Sequence, residues 1–474
     1  MSTLTSRKMA DMPMGKLIMN MSLPAILSML VQALYSIVDS LYIARYSTPL
    51  LDSLGMSSAP LDALTIAFPM QMLVIAFALG IGVGSNAFIS RMLGEKKYDE
   101  ANKTAQHGLF LALLFGLIFI AVGLLASRPF MELYTSDPII IQYGTSYLSI
   151  VVCISMFSFL EITLAKMLQA TGNMRVPMFA QLIGAITNIV LDPILIFGFW
   201  IFPEMGIKGA AIATVIGQGA AFTYVLCMFI FKKHDISISF KGFRIRRKYL
   251  SAIIRVGLPT TIINSLTSVS LTLVNLIIKQ YAYAITVLGV YCRVQSFVFM
   301  PVFGLMQGAL PIMSYNYGAG NRERFKKAYI ITLLISGSIL FAGMILFLSV
   351  PEYILMLFRL DAEGLALGVR AFRIISLSFV PAAFGITTII AYQSLGKGFA
   401  ALIMSLTRQL VFLVPTVALL LYLTGISGIW FSNLIADSLS ALIFLPIAYA
   451  IFKKEFTKRE KVLFNTLPQP VENQ

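Results

Sequence analysis

The chain carries one segment twice, in the same order and the same direction. A shift of 224 positions superposes Ser90 on Ser314, Gly94 on Gly318, Leu133 on Leu357, Asp137 on Asp361, Gly144 on Gly368, Thr163 on Thr387, Gln169 on Gln393 and Gly172 on Gly396, in one gap-free register of about eighty residues. Upstream, Leu23-Pro24 and Gly257-Leu258-Pro259 match at a shift of 235, because the first copy holds about eleven extra residues around Ser47 to Leu61. A parallel repeat of this length predicts two like halves. By itself it does not define an activity.

The halves are membrane units. The sequence is 58% hydrophobic and 12% charged over 474 residues, with long apolar runs between short polar ones, a pattern that excludes a soluble multidomain protein. Twelve spans are expected, at 16–44, 63–89, 104–126, 140–165, 176–200, 207–231, 250–279, 284–312, 328–350, 368–394, 399–422 and 429–452. Each is long enough to cross at about 1.5 Å per residue. The first lacks the short apolar core and small-residue cleavage site of a signal peptide, and reads as a retained helix. The expected fold is therefore an all-α membrane protein of two pseudo-symmetric six-helix bundles, 1–231 and 250–452, joined by a basic linker, 232–249, and followed by a tail, 453–474.

A net charge of +15 raises the question of nucleic acid, but the basic residues alternate between loops. Lys96, Lys97 and Lys103 follow span two; Lys232, Lys233, Lys241, Arg244, Arg246, Arg247 and Lys248 follow span six; Arg322, Arg324, Lys326 and Lys327 follow span eight; Lys453, Lys454, Lys458, Arg459 and Lys461 follow span twelve. The intervening loops hold mostly single cations such as Arg128, Lys208 and Arg359. Positive charge on alternate loops places both termini in the cytoplasm of a cell (inner) membrane, and makes the basic clusters topology signals or anionic-lipid contacts, not a nucleic-acid surface. Cys153, Cys227 and Cys292 lie in apolar spans without metal spacing and read as small buried hydrophobes. The Gly80, Gly82, Gly84 run neither follows a strand nor opens a helix, so it reads as close helix packing, not a dinucleotide site. His107 and His234 lie near span ends, where an interfacial role is expected. There is no P-loop, HExxH, nucleophile elbow or histidine cluster; no metal, cofactor or catalytic residue is expected.

The informative residues are the charges inside the spans. Asp39 closes a polar stripe, Gln32, Tyr35, Ser36 and Asp39, at i, i+3, i+4 and i+7, which must face protein or a water cavity. Asp192 follows Asn188 by one turn, so an amide and a carboxylate share a face. Pro193 has no N–H for the carbonyl of Ile189, leaving a backbone oxygen free nearby. Spans one and five run outward and span six inward, so Asp39, Asp192 and Thr214 fall roughly 8 to 12 Å below the same surface at about 1.5 Å per residue. Arg45 lies at the rim, and Arg91 and Lys166 on the far side, which leaves these carboxylates without a basic partner. A buried carboxylate in that position takes up a proton or holds a cation through neighbouring oxygens.

The second half is built differently. Span seven repeats the polar stripe without charge, as Asn264, Thr267, Ser268 and Asn275, which with Gln32, Tyr35 and Ser36 are candidates to line a substrate cavity. Arg293 and Gln295 of span eight line or brace it. Arg408 in span eleven and Asp437 in span twelve lie at similar depths and form a candidate structural ion pair. Glu161, near the inner end of span four, is expected to snorkel or pair.

With these residues in place the chain resembles the multidrug and toxic compound extrusion (MATE) transporters, bacterial drug-exporting branch, over nearly its whole length. The likeness rests on Pro24 and Asp39; Gly94-Glu95; Gln169-Ala170-Thr171-Gly172-Asn173; Asn188 with Asp192-Pro193; Gly206-Ile207-Lys208-Gly209-Ala210-Ala211; and Tyr315-Asn316-Tyr317-Gly318, in order on a duplicated twelve-span frame. The resemblance implies two lobes with alternating access to a central cavity, and it carries the family's N-lobe cation site onto Asp39, Asn188, Asp192 and Thr214. It does not carry over the C-lobe site of some relatives: Thr267 stands where those have a glutamate, and 368–394 contains no aspartate or glutamate. The expected activity is antiport, with organic, cationic and amphipathic compounds leaving in exchange for H⁺ or Na⁺, by a single chain in a lipid bilayer. The alternative is a flippase of the same superfamily moving a lipid-linked oligosaccharide or peptidoglycan precursor. That activity needs a cationic cavity, whereas the intramembrane cluster here is acidic.

Overall fold

A computed structural model of the chain describes residues 4–46, 53, 56, 58–199, 201–241, 243–356 and 362–466. Among them ten helices are long and apolar enough to cross a membrane, and two bent pairs supply two more spans. The helices are α1 (Leu4–Asp11), α2 (Met14–Ala44), α3 (Ala59–Gly94), α4 (Tyr98–Glu132), α5 (Pro138–Cys153), α6 (Met156–Ala170), α7 (Arg175–Phe197) and α8 (Ile207–Phe231). They continue with α9 (Arg247–Ile277), α10 (Ala282–Gly318), α11 (Arg322–Ser349), α12 (Pro351–Met356), α13 (Ala362–Ser376), α14 (Phe379–Ser394), α15 (Gly398–Leu406), α16 (Val414–Thr424) and α17 (Ser432–Thr466). The fold is the all-α, twelve-span membrane architecture that the apolar runs require. Repeat positions Leu357 and Asp361 and the loop residue Arg359 lie outside the described residues, as do most of 47–57 and the side chain of Ser36.

The sequence reading drew spans four and ten as single straight helices. Instead each is broken: α5 and α6 meet at 45°, and α13 and α14 at 50°. The breaks fall at Ile154-Ser155 and Leu377-Ser378, nearly equivalent positions of the repeat, so the duplication extends to backbone shape. Neither break contains glycine or proline, which is why the apolar run concealed it. Span eleven also departs from a plain helix: Thr407–Leu413 forms a π-helical segment between α15 and α16. The start of span four is fixed locally, since Asp137 Oδ1 accepts from Ile139 N and Ile140 N at 2.8 and 3.2 Å, with Pro138 at the first helical position,.

Where lipid surrounds the helices, association relies on close packing and not on expelling water, so small residues mark the seams. Four glycines of α3 and α10 show a common plan. A Cβ on Gly84 would collide with Ile253 O of α9 and one on Gly308 with Ser22 of α2; a Cβ on Gly80 would collide with Thr261 of α9 and one on Gly304 with Ile26 of α2. Gly84 and Gly308 are repeat equivalents, as are Gly80 and Gly304, and Ser22 and Ile26 match Gly257 and Thr261 at the upstream shift. The two cross-half seams, α3 on α9 and α10 on α2, are thus copies of each other.

The basic loops gather at one end of the bundle, where side chains tie them together. Lys248 pairs with Glu100, Ser237 N donates to Asn102 Oδ1 at 2.8 Å, and Arg324 Nη2 caps the carbonyls of Met9 and Met12 at 3.1 and 3.0 Å, holding α1. His107 is buried there, unlike the interfacial role its sequence position suggests. Its Nε2 accepts from Arg246 N at 2.9 Å, and its ring lies between Phe243 and Tyr249, because the linker folds back over α4. His234 is half-buried, with Nε2 2.9 Å from Met228 O. The cysteines are free but not fully buried; Cys227 is exposed on α8, since the outside of a membrane helix is apolar too. Helix α17 does not stop at 452 but continues to Thr466.

Candidate functional site

At the opposite end, α2, α7 and α8 bring Asp39, Asn188, Asp192 and Thr214 together. Asp39 lies five residues before the end of α2, Asp192 five before the end of α7, and Thr214 seven after the start of α8. Tight contacts set their mutual positions. Gly206, at φ +54°, lies against the ring of Tyr46, a close approach and a backbone conformation that only glycine accepts without strain,. Gly209 packs on Leu195 O, and Gly217 on Gly184 O, drawing α8 onto α7. Asn188 Nδ2 then reaches both Asp192 Oδ1 and Thr214 Oγ1 at 3.3 Å, and Thr214 Oγ1 donates to Ala210 O at 2.9 Å.

Asp39 faces Asp192 within hydrogen-bonding range. Asp192 is fully buried, and Asn188, Thr214 and Asp39 are 2, 3 and 9% exposed. Among the described residues, Asp39 Oδ1, Asp192 Oδ2 and Asn188 Oδ1 are buried without a hydrogen-bond partner. Two carboxylates that face each other out of water cannot both stay charged and bare. Either one proton is shared between them or a cation lies among the free oxygens.

Two tyrosines complete the cluster. Tyr35, which the sequence placed along the substrate cavity, brings its hydroxyl to Thr214 and its ring close to both carboxylates. Tyr147 of α5, 1% exposed, also lies beside Thr214, its hydroxyl buried without a hydrogen-bond partner among the described residues. The sequence reading missed Tyr147. The depth argument that gathered the other four would have reached it, since it lies nine residues inside the start of α5, but the one charge of span four, Glu161, lies near its opposite end and drew attention there.

The remaining candidates are dispersed. Gln32 is half-buried; Asn264, Thr267, Ser268 and Arg293 are exposed, Gln295 is half-buried, and Asn275 Oδ1 is buried without a partner among the described residues. Asn264 Nδ2 spends its hydrogen bond on Thr260 O of its own helix, at 2.9 Å. Arg408 Nη1 stands 2.8 Å from Asp437 Oδ1, with Asp437 buried; Ser378, at the bend between α13 and α14, also reaches Asp437. Glu161 forms no ion pair among the described residues. Lys166, assigned from sequence to the far side, is buried between the halves. Its Nζ donates to Gln169 Oε1 at 3.1 Å and to Gln307 Oε1 of α10 at 2.8 Å, and Gly82 leaves the space for its stem.

Twelve spans, a repeated seam and an acidic, oxygen-lined pocket set into one half define a polytopic membrane transporter. The MatE family model matches residues 24–194 and 259–419, one match in each half, and the chain belongs to this family of multidrug transporters. It is 26% identical over 440 residues to the multidrug export protein MepA of Staphylococcus aureus (strain MSSA476), covering 93% of this chain and 94% of that protein. It is 27% identical over 438 residues to MepA of Staphylococcus haemolyticus (strain JCSC1435), covering 92% and 93%. Among solved structures, an outward-facing multidrug resistance MATE family transporter of the MOP superfamily superposes with a TM-score of 0.87 at 23% identity, over 97% of this chain and all of that one. A MATE crystal structure in the bent conformation superposes at 0.88, also at 23% identity and with the same coverage.

Proposed function

We propose that the chain is a secondary antiporter that exports organic, cationic, amphipathic compounds in exchange for protons. The observation that carries this reading is the facing pair Asp39 and Asp192, buried with unpartnered oxygens and with no basic side chain paired to either among the described residues. The pair sharing one proton carries a single negative charge; uptake of a second proton neutralises it, removes its attraction for a cationic substrate and releases that substrate from the outer side. Loss of the proton to the other side restores the charge. Asn188 and Thr214 position Asp192, and Tyr35 and Tyr147 close the pocket against water. The basic end is cytoplasmic in this reading, following the positive loops, and one chain suffices. The multidrug export named for MepA supports small-molecule export, and the acidic cluster supports cationic substrates.

Sodium is the competing ion, because the free oxygens of Asp39, Asp192 and Asn188 also suit a hard cation. Proteoliposomes loaded with a fluorescent organic cation separate the two. An inward proton gradient in sodium-free buffer starts efflux if the site carries protons. Efflux that requires an inward sodium gradient at equal pH assigns the site to sodium, and efflux driven by neither rejects antiport.

A further inference from the structure

The chemistry that couples transport lies at one end of the bundle; at the other, the basic end, two adjoining clefts open between the halves. One has a volume of about 600 Å³ and the other about 320 Å³. They share Phe88, Arg91, Ala252, Arg255 and Arg459 as walls. Residues 88–100 of the first half form one side, and α9, the α14–α15 turn and α17 form the other, so the space exists only while the halves are closed at this end.

Seven cations and three carboxylates line the combined cleft. Each carboxylate is already committed. Glu95 pairs with Arg91, Lys97 and Arg459, Glu100 with Lys248, and Glu455 with Lys397 at 2.8 Å. Arg255 and Lys458 are exposed and form no ion pair among the described residues. The backbone at Arg255 is held in place because Gly398, at the start of α15, packs directly on its carbonyl, so its side chain starts from a fixed point on the cleft wall. Arg91 is held too, with its guanidinium 4.9 Å from the centre of the Tyr317 ring. The cleft is thus a preformed pocket with surplus positive charge and two guanidinium groups, that of Arg91 held over an aromatic ring and that of Arg255 without an ion-pair partner among the described residues, which suit the oxygens of a phosphate,.

Its depth and walls favour one source. Ser251, Ile254, Arg255 and Leu258 recur at helical spacing on the exposed face of α9, so this face turns from polar at the cleft to apolar one turn deeper. A headgroup phosphate at Arg255 would leave its acyl chains against Ile254 and Leu258.

We propose that this cleft binds a phosphate group, presented by an anionic phospholipid of the adjacent leaflet, and that the bound phosphate favours closure at the basic end. Because both halves supply walls, the ligand binds the closed arrangement better than one in which the halves separate there, and shifts the population accordingly. The site lies outside the coupling cluster and does not depend on the ion it carries.

Native mass spectrometry of the purified full-length protein in neutral detergent, with phosphatidylglycerol or phosphatidylcholine added, reads the binding. Phosphatidylglycerol should bind at least tenfold more tightly than phosphatidylcholine, less so at high salt. Arg255→Gln with Lys458→Gln should remove most of that preference while melting in neutral lipid stays unchanged, both side chains being exposed. Titration with inorganic phosphate is the second arm; binding of phosphate without lipid preference keeps the site and assigns it to a soluble ester. Equal binding of the two lipids with no phosphate binding overturns the proposal, as does a double variant that retains the wild-type preference. Spin labels across the basic ends of α3 and α10 test the second part: phosphatidylglycerol nanodiscs should raise the short-distance population over phosphatidylcholine ones, and an unchanged distribution overturns the closure effect.

Discussion

Gly94 and Gly318 occupy equivalent positions in the two halves, and each lies on the other's helix. A Cβ on Gly94 would collide with Tyr315 O, and one on Gly318 with Arg91 O; Arg91 and Tyr315 are themselves repeat equivalents. The crossing of α3 and α10 at the basic end is therefore a contact between two copies of one surface, as in a two-fold dimer interface. Gly94→Ala and Gly318→Ala should each push the helices apart at a cost of about 1 to 3 kcal/mol, the range for overpacking. Both act on one crossing, so the double variant should lose less than the sum in detergent melting. Additive losses would mean the two contacts are independent.

The repeat is broken beside this crossing. Ala319 stands where the first half has Glu95, and the partner for Glu95 comes from α17, whose Arg459 Nη2 lies 2.9 Å from Glu95 Oε1 with both side chains buried. Burial alone would raise the Glu95 pKa, but Lys97, Arg459 and Arg91 outweigh it and hold it below the usual 4.5. A depressed carboxylate stabilises the closed arrangement above the ordinary glutamate pKa and loses that contribution as pH falls through the lowered value. Closure at the basic end should accordingly persist from neutral pH to below 4.5. Arg459→Gln should weaken closure already at neutral pH, by an amount of order 3 to 5 kcal/mol if the pair stays desolvated. Distances between spin labels on α3 and α10 report both effects, and the charge swap Glu95→Arg with Arg459→Glu should recover part of the loss.

Asp39→Asn and Asp192→Asn retain shape and remove titration. Each should abolish gradient-driven efflux while the protein still reaches the membrane and binds substrate. Tyr147→Phe removes only a buried hydroxyl beside Thr214, and a milder loss, about tenfold or about 1.4 kcal/mol in rate terms, is expected,. Initial efflux rates at matched expression decide these cases, and near-normal efflux from Asp39→Asn would remove the carboxylate pair from the mechanism.

Arg408 and Asp437 form a cycle with a clear sign. Asp437 is buried whereas Arg408 is 32% exposed, so Arg408→Gln, which leaves a buried carboxylate uncompensated, should destabilise more than the double variant does, and Asp437→Asn less than Arg408→Gln,. Because Ser378 also reaches Asp437, the Asp437 variant should additionally loosen the α13–α14 bend, visible as faster hydrogen exchange there than in the Arg408 variant.

The spans were legible in the sequence because lipid demands an unbroken apolar run, and the cluster of Asp39, Asn188, Asp192 and Thr214 because a charge below the surface is rare enough to notice and helical rise converts position into depth. Tyr147 and Tyr35 escaped that logic as members of the cluster: an aromatic hydroxyl inside a membrane helix is chemically unremarkable until its neighbours are known. For Lys166 rise gave depth and not azimuth, and only the packing of α6 on α10 shows that its stem points inward to Gln307. The bends at Ile154 and Leu377 left no trace in composition, because apolar residues serve both sides of a break equally well.

The reach of α17 to Glu95 also sets an order of events. Glu95 leaves the ribosome 364 residues ahead of Arg459, so throughout synthesis of the intervening helices its carboxylate has only Arg91 and Lys97 beside it. The cross-half ion pair can form only after the second half has been made, which makes it a signature of completed assembly. A nascent chain stalled within α17 would have nearly all its membrane segments in place, yet remain unlatched at the basic end.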